Sequence, residues 1–446
     1  MNLANRLMGA FQKMLPSPMS IAIVLTIFTM VLALIFKPDE IGYWTRSYDI
    51  LTYWNSGFWS LMEFTMQMIL ILVLGYVLAL SKGIDRLIAK LSIMVNTNAK
   101  AAALLSFLTI LVSLFNWGLG LVFGAIFARK IAEVYSSKGL KFNYGLLGAA
   151  AYSGMMVWHG GLSGSAPLKI AEANHFLAER IGQVFLSETI FSTMNLFASA
   201  VLLILIPLFF YSIGFMMQGE VVRLHIDERK TTTKMETPIG AEKLDYSKLF
   251  ALFFAFLLLA IPVFMMVTAN DLSFINLNYI NVLLFGLAIL AHGTITDFIK
   301  ALEKAIGSSA GILIQFPLYA GLMGIMKYSG LSVLFTQFFL DISSEASFPF
   351  YSMLSAAIVN IFVPSGGGQW IVQGPIVIET ALNLGVSIPK TVMALAYGDQ
   401  LTNMIQPFWA LPLLGITGLK AKEIFPFSFV LMILGSIIFA FTLLLF

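Results

Sequence analysis

Apolar residues run along this chain in long blocks, cut by short polar or glycine-rich interruptions. Blocks at 19–36, 61–80, 188–214, 249–267, 308–326 and 424–446 have the length and composition of membrane-crossing helices, and the shorter block at 279–292 is read as a span with them. Two other blocks stop too early for that. Residues 350–363 amount to about 21 Å of helix at ~1.5 Å per residue, against a hydrocarbon core of roughly 30 Å. They run into Pro364-Ser365-Gly366-Gly367-Gly368-Gln369-Trp370, and the apolar pattern then resumes. Residues 101–115 behave alike: Asn116-Trp117-Gly118 interrupts them, and 119–134 returns toward Arg129, Lys130 and Lys138. Each pattern predicts a re-entrant hairpin, at 101–134 and 350–382, although a single span with a glycine bend is an alternative for the first. Backbone that is not helical survives at membrane depth only when buried in protein or lining a wet cavity, so a cavity is expected at the two turns.

Two further segments predict helices that break. In 144–177 the break is His159-Gly160-Gly161-Leu162-Ser163-Gly164-Ser165-Ala166-Pro167, because no helix persists through that density of glycine and proline. In 389–417 it is Gly398-Asp399-Gln400-Leu401-Thr402-Asn403-Met404-Ile405-Gln406-Pro407. The order span, span, amphipathic stretch, hairpin, broken helix, span occurs twice. The predicted fold is an all-α polytopic membrane protein, an inverted repeat with two re-entrant hairpins and two discontinuous transmembrane helices. Residues 1–217 form the first repeat, 218–248 a cytoplasmic linker, and 249–446 the second repeat with its connecting span. Residues 2–14 predict an interfacial amphipathic helix, 43–59 an aromatic segment suited to a membrane surface, 82–100 a basic amphipathic stretch, and 327–346 another amphipathic one.

Composition narrows the class. Of 446 residues, 59% are hydrophobic and 11% charged, which no soluble domain of this length matches. A net charge of +3 gives no reason to expect nucleic acid as a partner. With no cysteine, disulfides, thiolate metal sites and cysteine nucleophiles drop out. No small-residue cleavage site follows the first apolar run, so no signal peptide is expected. Placing the N-terminus in the cytoplasm leaves only Lys37, Arg46, Lys169, Arg180, Lys327 and Lys390 of the 26 Lys and Arg residues outside. The positive-inside rule favours that orientation, which opens the two hairpins to opposite faces. Paired interrupted segments in inverted halves point to a binding site at the membrane midplane, as in secondary transporters.

The turns carry the candidate chemistry. Ser365, Gly366, Gly367, Gly368 and Gln369 supply free backbone N–H groups at a helix start, which suits an anion. The glycines let that backbone approach closely, or serve only tight helix packing. Asn116, Trp117, Ser163, Ser165, Thr402 and Asn403 complete the candidate substrate-binding set. No Arg or Lys falls in the turns, which argues for a monocarboxylate over a dicarboxylate. Trp117, Trp158, Phe362, Trp370 and Trp409 are candidates to wall an apolar pocket for a short acyl chain. Asp399 is the sharpest ionisable candidate, since a carboxylate at helix centre is costly and is expected to face the interior. It reads as a proton carrier or a Na⁺ ligand, with a helix-capping role as the alternative; Asn116, Asn403 and His159 are candidates for the same coupling function. Nothing suggests an enzyme: Ser365 is not on a strand-to-helix elbow, and no paired-carboxylate or His-rich metal signature is present. No cofactor is expected beyond Na⁺ or H⁺ as coupling ion.

Val363-Pro364-Ser365-Gly366-Gly367-Gly368-Gln369-Trp370, with Gln373-Gly374-Pro375 behind it, resembles the hallmark of the bacterial short-chain fatty acid (acetoacetate/butyrate-type) transporter family. Gly398-Asp399-Gln400-Leu401-Thr402-Asn403 and Ser113-Leu114-Phe115-Asn116-Trp117-Gly118 are similar to other stretches of that family, and the resemblance runs essentially end to end. It implies the ion-transporter superfamily: a homodimer in the bacterial inner membrane, moving a small carboxylate with a cation by an elevator motion. Dicarboxylates or other small organic anions are the alternative cargo on the same fold, and an anion channel is the alternative of a different class.

Overall fold

The computed structural model describes residues 17–36, 43–83, 86, 90, 95–217, 240–269, 274 and 277–446. The helix expected at 2–14, about half of the stretch at 82–100 and most of the linker at 218–248 lie outside them. Among the described residues the structure is helical, with no strand. Seven stretches are long and apolar enough to cross a membrane.

The chain begins with α1 (Pro18–Phe36), α2 (Tyr43–Ser60) and α3 (Met62–Ala79). The first hairpin is α4 (Asn98–Phe115) and α5 (Trp117–Ser137); then come α6 (Tyr144–Tyr152), two short 3₁₀ turns, α7 (Ser165–Ile170), α8 (Ala178–Ile181) and α9 (Thr193–Met216). The second half runs through α10 (Lys248–Thr268), α11 (Leu277–His292), α12 (Ile295–Ala305), α13 (Ala310–Tyr328) and α14 (Leu331–Asp341). The second hairpin is α15 (Phe348–Phe362) and α16 (Gly366–Leu384); α17 (Ile388–Thr402), α18 (Pro407–Thr417) and α19 (Ala421–Leu445) close the chain.

Local chemistry sets many of these boundaries. Thr97, Asn143, Ser192, Ser247 and Thr294 each accept a backbone N–H from the first turn of the helix they precede. Such a cap contributes about 1 kcal/mol. Gly385 and Gly418, both with positive φ, end α16 and α18 in the left-handed conformation. Helices α1, α9 and α10 leave many large apolar side chains exposed, among them Val24, Ile204 and Val267. An apolar exterior of that extent is what a lipid-facing surface requires.

The segment at 43–59, expected as a membrane-surface stretch, is the body of α2, packed along α13. The reason is small residues on both sides. A Cβ on Gly57 would lie 2.7 Å from Gly324 Cα, and one on Gly321 would lie 2.7 Å from the ring of Trp54. Backbones that lack these Cβ atoms approach closely enough for extensive van der Waals contact. Likewise α14 occupies part of the stretch read as amphipathic at 327–346.

The pairs that position the site are α4 against α5, α15 against α17, and α16 against α17. Gly398 explains the close approach of α15 and α17: a Cβ there would overlap the carbonyl oxygen of Met353. Gly398, Asp399, Gln400, Leu401 and Thr402, expected within the second break, therefore remain helical, and the interruption narrows to Asn403–Gln406.

Candidate carboxylate site

Each hairpin turns through an extended residue that caps its second helix. Asn116 (φ −152°) stops α4, and its Oδ1 accepts the N–H of Leu119 in α5 at 3.0 Å. Ser365 (φ −155°) precedes α16, and its Oγ accepts the N–H of Gly368 at 3.1 Å. The first N–H groups of a helix have no intrahelical partner. Ser163 Oγ accepts that of Trp117 at 3.0 Å, so the first hairpin has spent two of its donors internally. At the second hairpin the cap takes Gly368 and leaves the N–H groups of Gly366 and Gly367.

The two broken helices are held in different ways. At the first, one main-chain bond and one side-chain amide do the holding: Leu162 N–H donates to Leu114 O at 2.7 Å, and Asn195 Nδ2 donates to Gly160 O at 2.8 Å. At the second, amide side chains do. Asn360 Nδ2, from α15, donates to Asp399 O at 2.7 Å, Asn403 Oδ1 at 2.7 Å and Thr402 Oγ1 at 3.0 Å. Gln406 Nε2 returns a bond to Asn360 O at 2.6 Å, and Tyr152 Oη donates to Asn403 O at 2.6 Å. Buried carbonyls freed by a helix break are thereby satisfied.

A cavity of about 370 Å³ opens where these elements converge. That volume is at the small end of ligand pockets, roughly 300–1,000 Å³. Its polar wall is Asn116, Ser163 and Ser165 from the first half and Ser365, Gly366 and Gly367 from the second. Its apolar wall is Trp117, Trp158 and Trp409 with Phe64. The Trp117 and Trp409 rings meet edge to face at 4.8 Å, and Trp158 lies 5.9 Å from each. The indole Nε1 atoms of Trp158 and Trp409 are buried without an acceptor. No Lys or Arg lines the cavity among the described residues. Its one ionisable lining residue there is Glu172, whose carboxylate pairs with Lys169 Nζ at 2.8 Å, both half-exposed.

The expected site residues divide accordingly. Asn116, Trp117, Ser163, Ser165, Ser365, Gly366 and Gly367 share the cavity wall. Gly368, Gln369, Thr402 and Asn403 do not line it. Gln369 turns inward and donates to Ala356 O and Gln373 Oε1, while Thr402 and Asn403 belong to the Asn360 network. Phe362 stacks on Phe28 and Phe335, and Trp370 is buried beneath Phe176. Phe64, Leu168, Glu172 and Leu277 are lining residues that the pattern did not single out; Phe64 and Leu277 come from α3 and α11, which carry no break or motif to mark them.

Asp399 and His159 lie behind this wall, both fully buried, with His159 Nδ1 3.4 Å from Asp399 Oδ1. The imidazole stacks on Trp158 with centroids 4.5 Å apart, and its Nε2 accepts the N–H of Ala166 at 3.1 Å. The His159 N–H donates to Gln400 Oε1 at 2.9 Å. Asp297, Glu303, Glu63 and Glu379 are exposed.

Helices of membrane-crossing length around a small chamber lined by polar breaks define a multi-pass, all-α membrane protein built for a small ligand. The particular family follows from comparison. The family model described as "Short chain fatty acid transporter" matches residues 1–446, and the chain belongs to that family. It is 35% identical over 451 residues to a protein of Escherichia coli (strain K12), covering 99% of each chain. It is 35% identical over 455 residues to one of Haemophilus influenzae (strain ATCC 51907 / DSM 11121 / KW20 / Rd), covering 98% of this chain and 97% of that one. Both carry the name "Putative short-chain fatty acid transporter". Among solved structures, it aligns with Neisseria gonorrhoeae MtrF at 16% identity and a TM-score of 0.42, covering 97% of this chain and 96% of that one. The Alcanivorax borkumensis YdaH transporter aligns at 17% identity and a TM-score of 0.42, covering 96% and 97%.

Proposed function

We propose that this protein takes up short-chain monocarboxylates such as butyrate or acetoacetate across the bacterial inner membrane, in symport with a cation. The observation that carries the reading is the cavity in which the open helix start at Gly366 and Gly367 faces three tryptophans, with no basic side chain in the described wall. A helix start stabilises one anionic charge by about 0.3–1 kcal/mol, and up to ~2 kcal/mol when partly buried. The Ser365 hydroxyl and the Asn116 amide add donors. These suit one carboxylate with a short apolar tail. A second carboxylate would meet Glu172 rather than a cation.

Alternating access by an elevator motion is the transport mode that fits. The second hairpin and second broken helix are bonded to each other through Asn360 and Gln406, and the first pair through Leu114, Leu162, Trp117 and Ser163. Helices α3 and α11 contribute Phe64 and Leu277 from outside those bonded units.

Counterflow of radiolabelled butyrate into proteoliposomes, corrected for protein-free liposomes, tests the reading. Saturable counterflow is expected, competed by acetoacetate and resistant to succinate. No counterflow, or succinate competing equally, overturns it; flux that grows without saturation would make the protein a channel.

A further inference from the structure

We infer that the coupling cation is a proton, carried by the Asp399 carboxyl and held in register by His159. The inference rests on the carboxylate reading above and deepens it.

Asp399 is fully buried, and neither carboxylate oxygen has a formed hydrogen bond among the described residues, His159 Nδ1 standing off at 3.4 Å. An ionised carboxylate left that way is expensive, whereas a carboxylic acid is not. The elements packed on α17 bring the ionisable side chains Tyr351, Lys169, Glu379, Lys422 and Glu423, besides His159. Lys169 and Glu379 are paired near the surface with Glu172 and Arg180, and Lys422 and Glu423 sit in the first turn of α19. On α17 itself, Lys390 lies in the first turn, and Tyr397 donates its hydroxyl to Asn195 Oδ1 at 3.1 Å. From α6, the Tyr152 hydroxyl is committed to Asn403 O. His159 is the charge-bearing side chain that reaches Asp399 among the described residues.

The histidine's own bonding assigns the roles. Its Nε2 accepts the N–H of Ala166, so that nitrogen presents a lone pair and the neutral ring carries its hydrogen on Nδ1, facing Asp399. A doubly protonated ring would set Nε2–H against Ala166 N–H. The transferable proton therefore resides on Asp399: carboxylic acid when loaded, carboxylate accepting from Nδ1–H when empty.

The pair is one ring away from the cavity. Trp158 lines the chamber on one side and stacks on His159 on the other. Gly366 lines it too, and a Cβ there would lie 2.9 Å from both His159 Cε1 and Trp158 Cη2. A carboxylate in the chamber and a carboxylate at Asp399 repel, so each proton taken up by Asp399 favours the anion, and the anion favours the proton to the same degree. The proton enters from the side on which the substrate binds and leaves with it, so that one anion and one proton cross without net charge.

Calorimetry of butyrate binding to the purified full-length protein, repeated in buffers of different ionisation enthalpy, counts the protons taken up. At mildly alkaline pH the expected result is about one proton per bound butyrate, with an affinity unchanged when choline replaces sodium. Asp399→Asn is expected to bind with no proton uptake and to lose the pH dependence of affinity. His159→Gln, whose amide can donate to Asp399 and accept from Ala166, is expected to shift the pH of uptake while the count stays near one. No proton uptake by the wild type, a sodium-dependent affinity, or uptake persisting in Asp399→Asn overturns the inference, and loss of uptake in His159→Gln moves the proton to the histidine. The wild-type count decides alone if a variant does not fold. Absence of any butyrate binding by monodisperse wild-type protein is the separate result that removes the carboxylate reading, and the proton assignment with it.

Discussion

The three glycines of the second hairpin sit in three different environments, and this allows anion binding to be separated from packing. A Cβ on Gly367 would meet nothing within 4 Å, although the residue lines the cavity. A Cβ on Gly366 would press on the His159 and Trp158 rings at 2.9 Å, and one on Gly368 would lie 3.0 Å from Ser365 Oγ. Gly367→Ala is therefore expected to leave stability unchanged or raise it by up to about 1 kcal/mol, since alanine favours helix. Its methyl group nevertheless projects into the space an anion needs to reach the helix start. If the approach to one charge-assisted N–H is lost, the cost is about 1.5–3 kcal/mol, or roughly a 10- to 150-fold rise in the half-saturating butyrate concentration. Gly366→Ala, by contrast, is expected to cost about 1–3 kcal/mol of stability through overpacking. The assays are butyrate counterflow in proteoliposomes and thermal melting in detergent, run on both variants. Wild-type half-saturation in a well-folded Gly367→Ala protein would refute the assignment of this backbone as the anion site.

Other outcomes follow from single contacts. Asn360→Leu strands Asp399 O and Asn403 Oδ1 in a buried position and is expected to cost roughly 2–6 kcal/mol, at about 1–3 kcal/mol per unpaired group; an unshifted melting temperature would contradict the bracing role of this network. Glu172→Gln removes the one carboxylate in the described cavity wall and is expected to lower half-saturation for butyrate about twofold at low salt, the scale of a half-exposed charge. That gain should vanish at high salt, and a loss of transport instead would point to a direct role for the acid. Trp409→Leu enlarges the apolar wall and should strengthen competition by hexanoate relative to butyrate. Roughly 0.8 kcal/mol per newly buried CH₂ sets the scale, about fourfold for each; unchanged competition would place the acyl chain elsewhere.

The breaks were legible because their chemistry is local. Asn116 and Ser365 are side chains that cap helices, set between apolar runs, and both stand where the turns are. How far each turn reaches into the chamber was not legible. The cavity lies beyond the start of α16 and not alongside it, so only the cap and the first two residues touch it. Gln369 and Trp370, about one turn further on, face neighbouring helices instead. At the second break, Gly398 gave a misleading signal. It reads as a helix breaker, yet it is helical and owes its identity to the Met353 carbonyl. Phe64 and Leu277 could not be found from sequence at all, because their place in the wall follows only from how α3 and α11 pack.

The difference in how the two interruptions are tied has a consequence for engineering this scaffold. The first is laced by one main-chain bond, from Leu162 to Leu114, and by the side chains of Ser163 and Asn195. The second is written in side-chain amides, Asn360 and Gln406, whose partners lie across a helix boundary. Chimeras that graft the region around residues 114–163 from a distant homologue should therefore fold where Asn195, a partner outside the graft, is kept. Grafts of residues 348–362 without 399–406, or the reverse, should yield protein that inserts and then aggregates. The portable cassette in the second half is the whole of residues 348–417.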